Sequence, residues 1–231
     1  MKRKALLLFC ALSLALAAPA LADGGDELLF GFNGFDYEHP NTNPSVYLDI
    51  GEGYKALGFV TSVGPLLDPW VDTGLNEYTI HVFDLFVVSR VQFGGYLSVT
   101  FANNGRSRYY EDPLAGGTAA TYGTFPPNAT APSTFIDGTM KLGGRIDNFV
   151  LVYNFGTGQG NFSGDMTLDE GPDLIYVPPA QHAGWILGGL AGQPNPTVPA
   201  GYDHQISGEC RIPGKTPTTH KTWGAVKSLY R

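Results

Sequence analysis

The sequence predicts an all-β, antiparallel domain of the sandwich or jelly-roll type. Three observations carry that prediction. Apolar residues alternate with polar ones at period 2 through most of the chain, the mark of strands with one buried face. Glycine (31) and proline (17) are abundant, as many turns between short strands require. A helical period is missing except in the last residues. Aromatics at 13% and charged residues at only 15% exclude a disordered chain.

Residues 1–22 have the order of a cleavable signal peptide. Lys2, Arg3 and Lys4 precede an apolar run from Ala5 to Leu16, and Ala20-Leu21-Ala22 supplies a small-x-small cleavage pattern. The run is shorter than the ~20 residues a spanning helix needs. Cys10 lies inside it, but Phe9 precedes Cys10 where a lipid-modified cysteine would want a small residue. The mature chain is expected to begin at Asp23, secreted or periplasmic. Its one cysteine is then Cys210, which excludes an internal disulfide and reads first as a buried apolar side chain.

Leu28, Phe30 and Phe32 open the strand pattern, and Val46, Leu48 and Ile50 continue it. From Tyr78 to Val88 the phase holds through Tyr78, Ile80 and Val82, then shifts to Leu85 and Val87, which predicts a β-bulge near Asp84. Leu97, Val99 and Phe101 form the next strand. Gly105 to Ser133 reads as a long surface excursion. Asp147 to Val177 reads as a three-stranded meander, turning at Gly156–Gly160 and at Glu170–Asp173. Pro178 to Pro199 is irregular, with Trp185, Ile186, Leu187 and Leu190 packed on the body. Tyr202 to Ile212 is the last strand. Residues 23–212 thus form one globular domain, followed over 213–231 by a Pro/Thr linker and a basic tail. In the tail Trp223, Val226 and Tyr230 recur at helical spacing beside Lys227, as in a short amphipathic helix. That helix would be a handle for a surface-sorting partner or would dock on the body.

Charge separates the two parts. From Asp23 to Glu209 there are 21 acids against six bases, a net charge of −15, whereas the residues from Cys210 onward carry five bases and no acid. The body lacks the clustered bases that phosphates require, so no nucleic-acid partner is expected.

No motif fixes a reaction. The Gly156-Gly158-Gly160 loop is followed by a strand pattern and not by the helix a phosphate cradle needs. The five histidines show no zinc spacing, although His182 and His204 could meet across a fold. Asp169, Glu170 and Asp173 flank Gly171 in the densest acidic turn, and a hard cation such as Ca²⁺ takes several such oxygens. A solvated acidic hairpin gives the same pattern. Tyr109, Tyr110, Glu111 and Asp112, next to Arg106 and Arg108, are the candidate ligand surface, with the tyrosines, and Tyr122 beyond them, able to stack on a sugar ring. The same residues also fit a strand end with ordinary ion pairs. These features together predict an exported, non-enzymatic binding or structural component, with a polysaccharide or protein partner and no required cofactor beyond the calcium option. The alternative is an extracellular hydrolase of glycosidase type working through a carboxylate pair.

Overall fold

The computed structural model describes residues 27–43, 45–123, 133–192 and 197–213. The signal segment 1–22 and residues 214–231, which include the tail residues Trp223, Val226, Lys227 and Tyr230, lie outside the described residues.

Among the described residues nine strands form a single antiparallel sheet: β1 (Glu27–Glu38), β2 (Gly53–Val63), β3 (Asn76–Phe93), β4 (Tyr96–Phe101), β5 (Gly105–Pro113), β6 (Thr139–Asn154), β7 (Gln159–Glu170), β8 (Trp185–Ala191) and β9 (His204–Ile212). The sheet closes on itself. β1 pairs with both β2 and β9, β2 pairs with β3, and β6, β7, β8 and β9 pair in succession. β4 and β5 lie end to end between β3 and β6: β4 pairs with Val87–Phe93 of β3 and β5 with Asn76–Phe83. The wall therefore has eight positions, and the protein is a closed up-and-down barrel. This corrects the sandwich or jelly roll, while the all-β antiparallel class stands. Closure removes the two open edges that a sandwich would leave.

Bulges bend the wall. Asp84 has a φ of 58°, and Tyr54 and Ala56 of β2 pair with Leu85 and Val82 of β3, which leaves an extra residue on β3 at the predicted place. Asn148, at φ 53°, marks a second break between β6 and β7. Two inward glycines admit large rings. A Cβ at Gly208 would stand 2.6 Å from the Phe32 ring, and one at Gly189 would stand 2.6 Å from the Phe162 ring.

Alternation puts the large side chains inside. Rings run through the core from Tyr78 and Tyr109 (5.4 Å between centroids) through Phe30, Phe32, Phe162 and Phe149 to Phe101 and Tyr54. The void among Phe32, Tyr54, Phe149, Phe162 and their aliphatic neighbours is about 10 Å³, room for one water at most. Cys210 is fully buried with its Sγ 3.6 Å from the Met166 sulfur. Burial raises its thiol pKa, as expected of a structural cysteine. Outward strand positions carry Asn33, Lys55, Ser62, Arg145, Asp165, Thr167 and Ser207, the reverse of a strand barrel in lipid, whose outward band is apolar. Apolar side chains also reach the surface, most densely at the β3–β4 hairpin, where Val88, Val91, Phe93 and Tyr96 are exposed, and singly at Val152 and Leu190. Among the described residues no helix is long and apolar enough to cross a membrane.

A second, smaller core lies outside the barrel. Phe35, Tyr37, Leu57 and Phe59 point outward from β1 and β2, and the β5–β6 and β8–β9 connections cover them with Tyr122, Phe135 and Tyr202. The Tyr202 hydroxyl donates to the Tyr122 carbonyl (3.0 Å), and Thr79 Oγ1 donates to that of Phe135 (2.7 Å). The surface excursion begins only after β5, since residues 105–113 are strand. Three further expectations change. Residues 46–50 belong to a turn-rich loop, with Leu48 at φ 53°. Residues 172–176 form a 3₁₀ turn, so the third meander strand is β8, inside the segment expected to be irregular.

Candidate functional site

The end of the barrel where β1 finishes, here the upper rim, gathers acids that the strand pattern did not announce. Asp36 continues the inward phase of Phe30 and Phe32 and is buried, at 1% exposure. The neighbouring strand places His204 opposite it. The His204 amide donates to Asp36 Oδ1 (2.7 Å), and His204 Nδ1 lies 3.2 Å from that oxygen and 3.2 Å from the Tyr47 hydroxyl. Tyr47 and Tyr153 pack their rings on the imidazole at 4.9 and 4.8 Å. Burial alone would lower the His204 pKa. The hydrogen bond to Asp36 and the charges of Asp36, Asp203 and Glu38 outweigh that and raise it.

Two glutamates tie the β1–β2 loop over this rim. Glu52, with no exposed surface, accepts from the amides of Thr42 (2.8 Å) and Asn43 (2.7 Å) through Oε1 and from that of Asp49 (2.8 Å) through Oε2. Glu38 accepts from the Leu48 amide and, at 2.5 Å, from the Asn41 side chain. Asp203 Oδ2 accepts from the Glu38 amide (3.1 Å). Burial pushes the Glu38 pKa up to about 7 despite the Leu48 hydrogen bond, with Asp203, Glu52 and Asp36 adding to the rise. Burial and the Asp36 charge likewise raise Asp203 to about 6. Asp36 Oδ2 and the Tyr54 hydroxyl are buried without a hydrogen bond of normal geometry, and burial followed by the Asp36 charge holds the Tyr54 pKa well up.

Chemically, this is a proton-rich cluster with two carboxyls that ionise near neutrality. Amide donors already occupy oxygens of Glu38, Glu52 and Asp203. A concavity lies elsewhere: an outer groove of about 320 Å³ across β2, β1, β9 and β8, lined by small polar residues such as Asn33, Ser62 and Ser207 between Gly31 and Gly188.

The residues singled out in the sequence are dispersed. Tyr109 points into the barrel and is 2% exposed, and Tyr110 is also buried, so neither presents a stacking face. Glu111 accepts from the Tyr78 hydroxyl (2.8 Å) and pairs with Lys141 (3.3 Å), while Asp112 accepts from the Thr118 amide. The expected calcium ligands are engaged by cations of the protein. Arg106 forks onto Asp169 (3.0 and 2.8 Å), Arg108 forks onto Glu170 (2.9 and 3.2 Å), and Asp173 lies 3.7 Å from Lys141. Such charge-assisted pairs occupy the oxygens that calcium would take. His182, bonded to the Val177 carbonyl beside β8, sits at the opposite end of the barrel from His204, so the two cannot share a metal. Among the described residues no group of three or more His, Cys, Asp or Glu is placed to hold a metal ion.

Sequence reasoning missed Asp36, Glu38, Glu52 and Asp203, and singled out His204 only as a metal partner for His182. The available signal was Asp36, an acid in phase with the buried face of its strand. Compared with protein-family models, curated proteins and solved structures, the chain matches none.

Proposed function

We propose that this chain is an exported, non-enzymatic binding or structural barrel that makes its contacts from its outer surface. The packed interior carries this proposal. An eight-position barrel is just wide enough to be filled by side chains or to hold one small ligand, and here the void among Phe32, Tyr54, Phe149 and Phe162 is about 10 Å³. The signal-like residues 1–22 and the absence of a nucleotide or redox motif in the sequence support a place outside the cytoplasm.

The hydrolase alternative rests on Glu38 and Asp203, two neighbouring carboxyls with pKa values raised toward the working range of a general acid. Their engagement by amides of the β1–β2 loop and β1 argues for a role in fastening that loop. The test is to incubate the chain from Asp23 with extracellular polysaccharides and peptides and assay product release. No turnover above background is expected. Release that disappears in both Glu38→Gln and Asp203→Asn would overturn the proposal in favour of a hydrolase.

A further inference from the structure

The lower rim, where β9 ends, carries an aromatic pair built from two separate connections. Trp70 closes the 3₁₀ turn Asp68–Trp70 between β2 and β3, and Tyr176 closes the turn Pro172–Tyr176 between β7 and β8. Their rings lie flat on each other, 3.9 Å between centroids and 10° from parallel. Each turn is anchored beside its aromatic residue. Leu67 and Val177 are both buried at 1% exposure, and the Trp70 and Val177 amides donate to the carbonyls of Leu67 (2.8 Å) and Leu174 (3.2 Å). Proline stands in both turns. The pair is thus fixed before any ligand arrives, which lowers the ordering cost of binding.

Tyr176 is partly covered, whereas Trp70 keeps 51% of its surface exposed although Tyr176 covers one ring face. Trp70 is the outer member of the stack. The other tryptophan among the described residues, Trp185, is fully buried and donates from its indole nitrogen to the Gln181 carbonyl. An exposed indole held rigid on a backing ring is unexplained by packing alone. Exposed Asp68 and Asp72 flank it in the chain.

We infer that Trp70, backed by Tyr176, is a stacking platform for a pyranose ring of a neutral polysaccharide. The axial C–H face of a sugar with mainly equatorial hydroxyls is flat and apolar and fits an indole face. Asp68 and Asp72, exposed and near Trp70 in the chain, are of the residue type that accepts hydrogen bonds from sugar hydroxyls. The net charge of −15 over residues 23–209 repels uronic-acid polymers and anionic lipid surfaces. This inference rests on the outward-facing function proposed above and names its ligand class.

The test is affinity electrophoresis of the mature chain through gels containing soluble β-glucan, xylan, galactomannan or alginate. Retardation is expected in at least one neutral gel and not in alginate. Trp70→Ala should weaken it by about two- to tenfold, in line with losing a stacked aromatic face. Trp70→Phe should keep part of the retardation, and the thermal midpoint of both variants should stay close to that of the parent. Absence of retardation in every neutral gel would overturn the inference, as would equal retardation of Trp70→Ala. Sedimentation with phosphatidylethanolamine–phosphatidylglycerol vesicles, lost in Trp70→Ala, would overturn it in favour of a lipid surface. None of these results touches the product-release assay, so failure of the platform and failure of the outward-facing proposal remain distinguishable.

Discussion

Raising the pH through neutrality should destabilise the barrel, and the upper rim sets the size of the effect. Burial pushes the Glu38 carboxyl pKa up to about 7 in the folded chain, against 4.5 for a free glutamate side chain. Between these values the folded state binds the proton more tightly than the unfolded state, so stability falls as pH rises. At 1.36 kcal/mol for each pH step, the fully buried limit is about 3 kcal/mol. Glu38 is only partly buried, and solvent screening brings its share to about 1 kcal/mol. His204 acts in the same direction. Its folded pKa is raised, so its contribution is complete below the unfolded value of 6.5 and is lost as pH rises through the folded one. For a chain of this size, 1 kcal/mol moves the melting midpoint by roughly 2–4 °C. Melting followed by circular dichroism between pH 4.5 and 8 should therefore show a midpoint that declines by about that amount. Glu38→Gln keeps an oxygen for the Leu48 amide but cannot ionise, so its decline should be shallower. A parent midpoint that is level or rises over this interval, or a Glu38→Gln slope equal to the parent's, would refute the assignment. On the acid side the sign reverses. The hydrogen bond from Arg108 lowers the Glu170 pKa, so its stabilisation is lost as pH falls through that lowered value.

The remaining predictions concern packing. Phe149→Ala removes a fully buried ring that contacts Tyr54, Phe101 and Phe162, and should cost about 3–5 kcal/mol in urea unfolding. Gly208→Ala should cost about 1–3 kcal/mol, since its Cβ must displace the Phe32 ring, whereas Gly51→Ala, with open space around it, should show only the strain of its φ of 90°. Glu52→Ala leaves the amides of Thr42, Asn43 and Asp49 without their acceptor, so limited proteolysis should cut within residues 39–52 before the barrel unfolds. Cys210 should be inert to a thiol reagent in the native protein and give one equivalent of reaction after denaturation of the mature chain.

Strand placement was legible wherever period-2 alternation met a water-facing side. Tyr78 to Val88 is the clearest instance, because the parity change between Val82 and Leu85 exposes the bulge at Asp84 directly. Val46, Leu48 and Ile50 show the limit of that signal. Their alternation is as regular as a strand's, but the segment is fastened by Glu38 and Glu52 as a loop. Closure was not legible at all. Alternation states which face of a strand is buried and is silent on whether β1 finds β9 or a second sheet. Here the distinction lies in bulges and in inward glycines such as Gly189 and Gly208, which make room for rings at short range.

The site was less legible than the fold because its residues converge from β1, the β1–β2 loop, β6 and β9. Asp36 and His204 are 168 positions apart and meet only through β1–β9 pairing, the contact that closes the barrel. Tyr109 and Tyr110 illustrate the converse error. Their position beside charges suggested a ligand surface, yet strand parity sends Tyr109 into the core, and the neighbouring arginines are neutralised by Asp169 and Glu170. Exposure of an aromatic ring depends on which connection carries it. Trp70 qualifies because its turn is anchored by Leu67 and Tyr176 stands behind it, a juxtaposition that needs the β2–β3 and β7–β8 connections at one rim. Closure therefore creates both features together: it brings β1 against β9, where Asp36 meets His204, and it brings distant connections to the two rims, where Trp70 meets Tyr176.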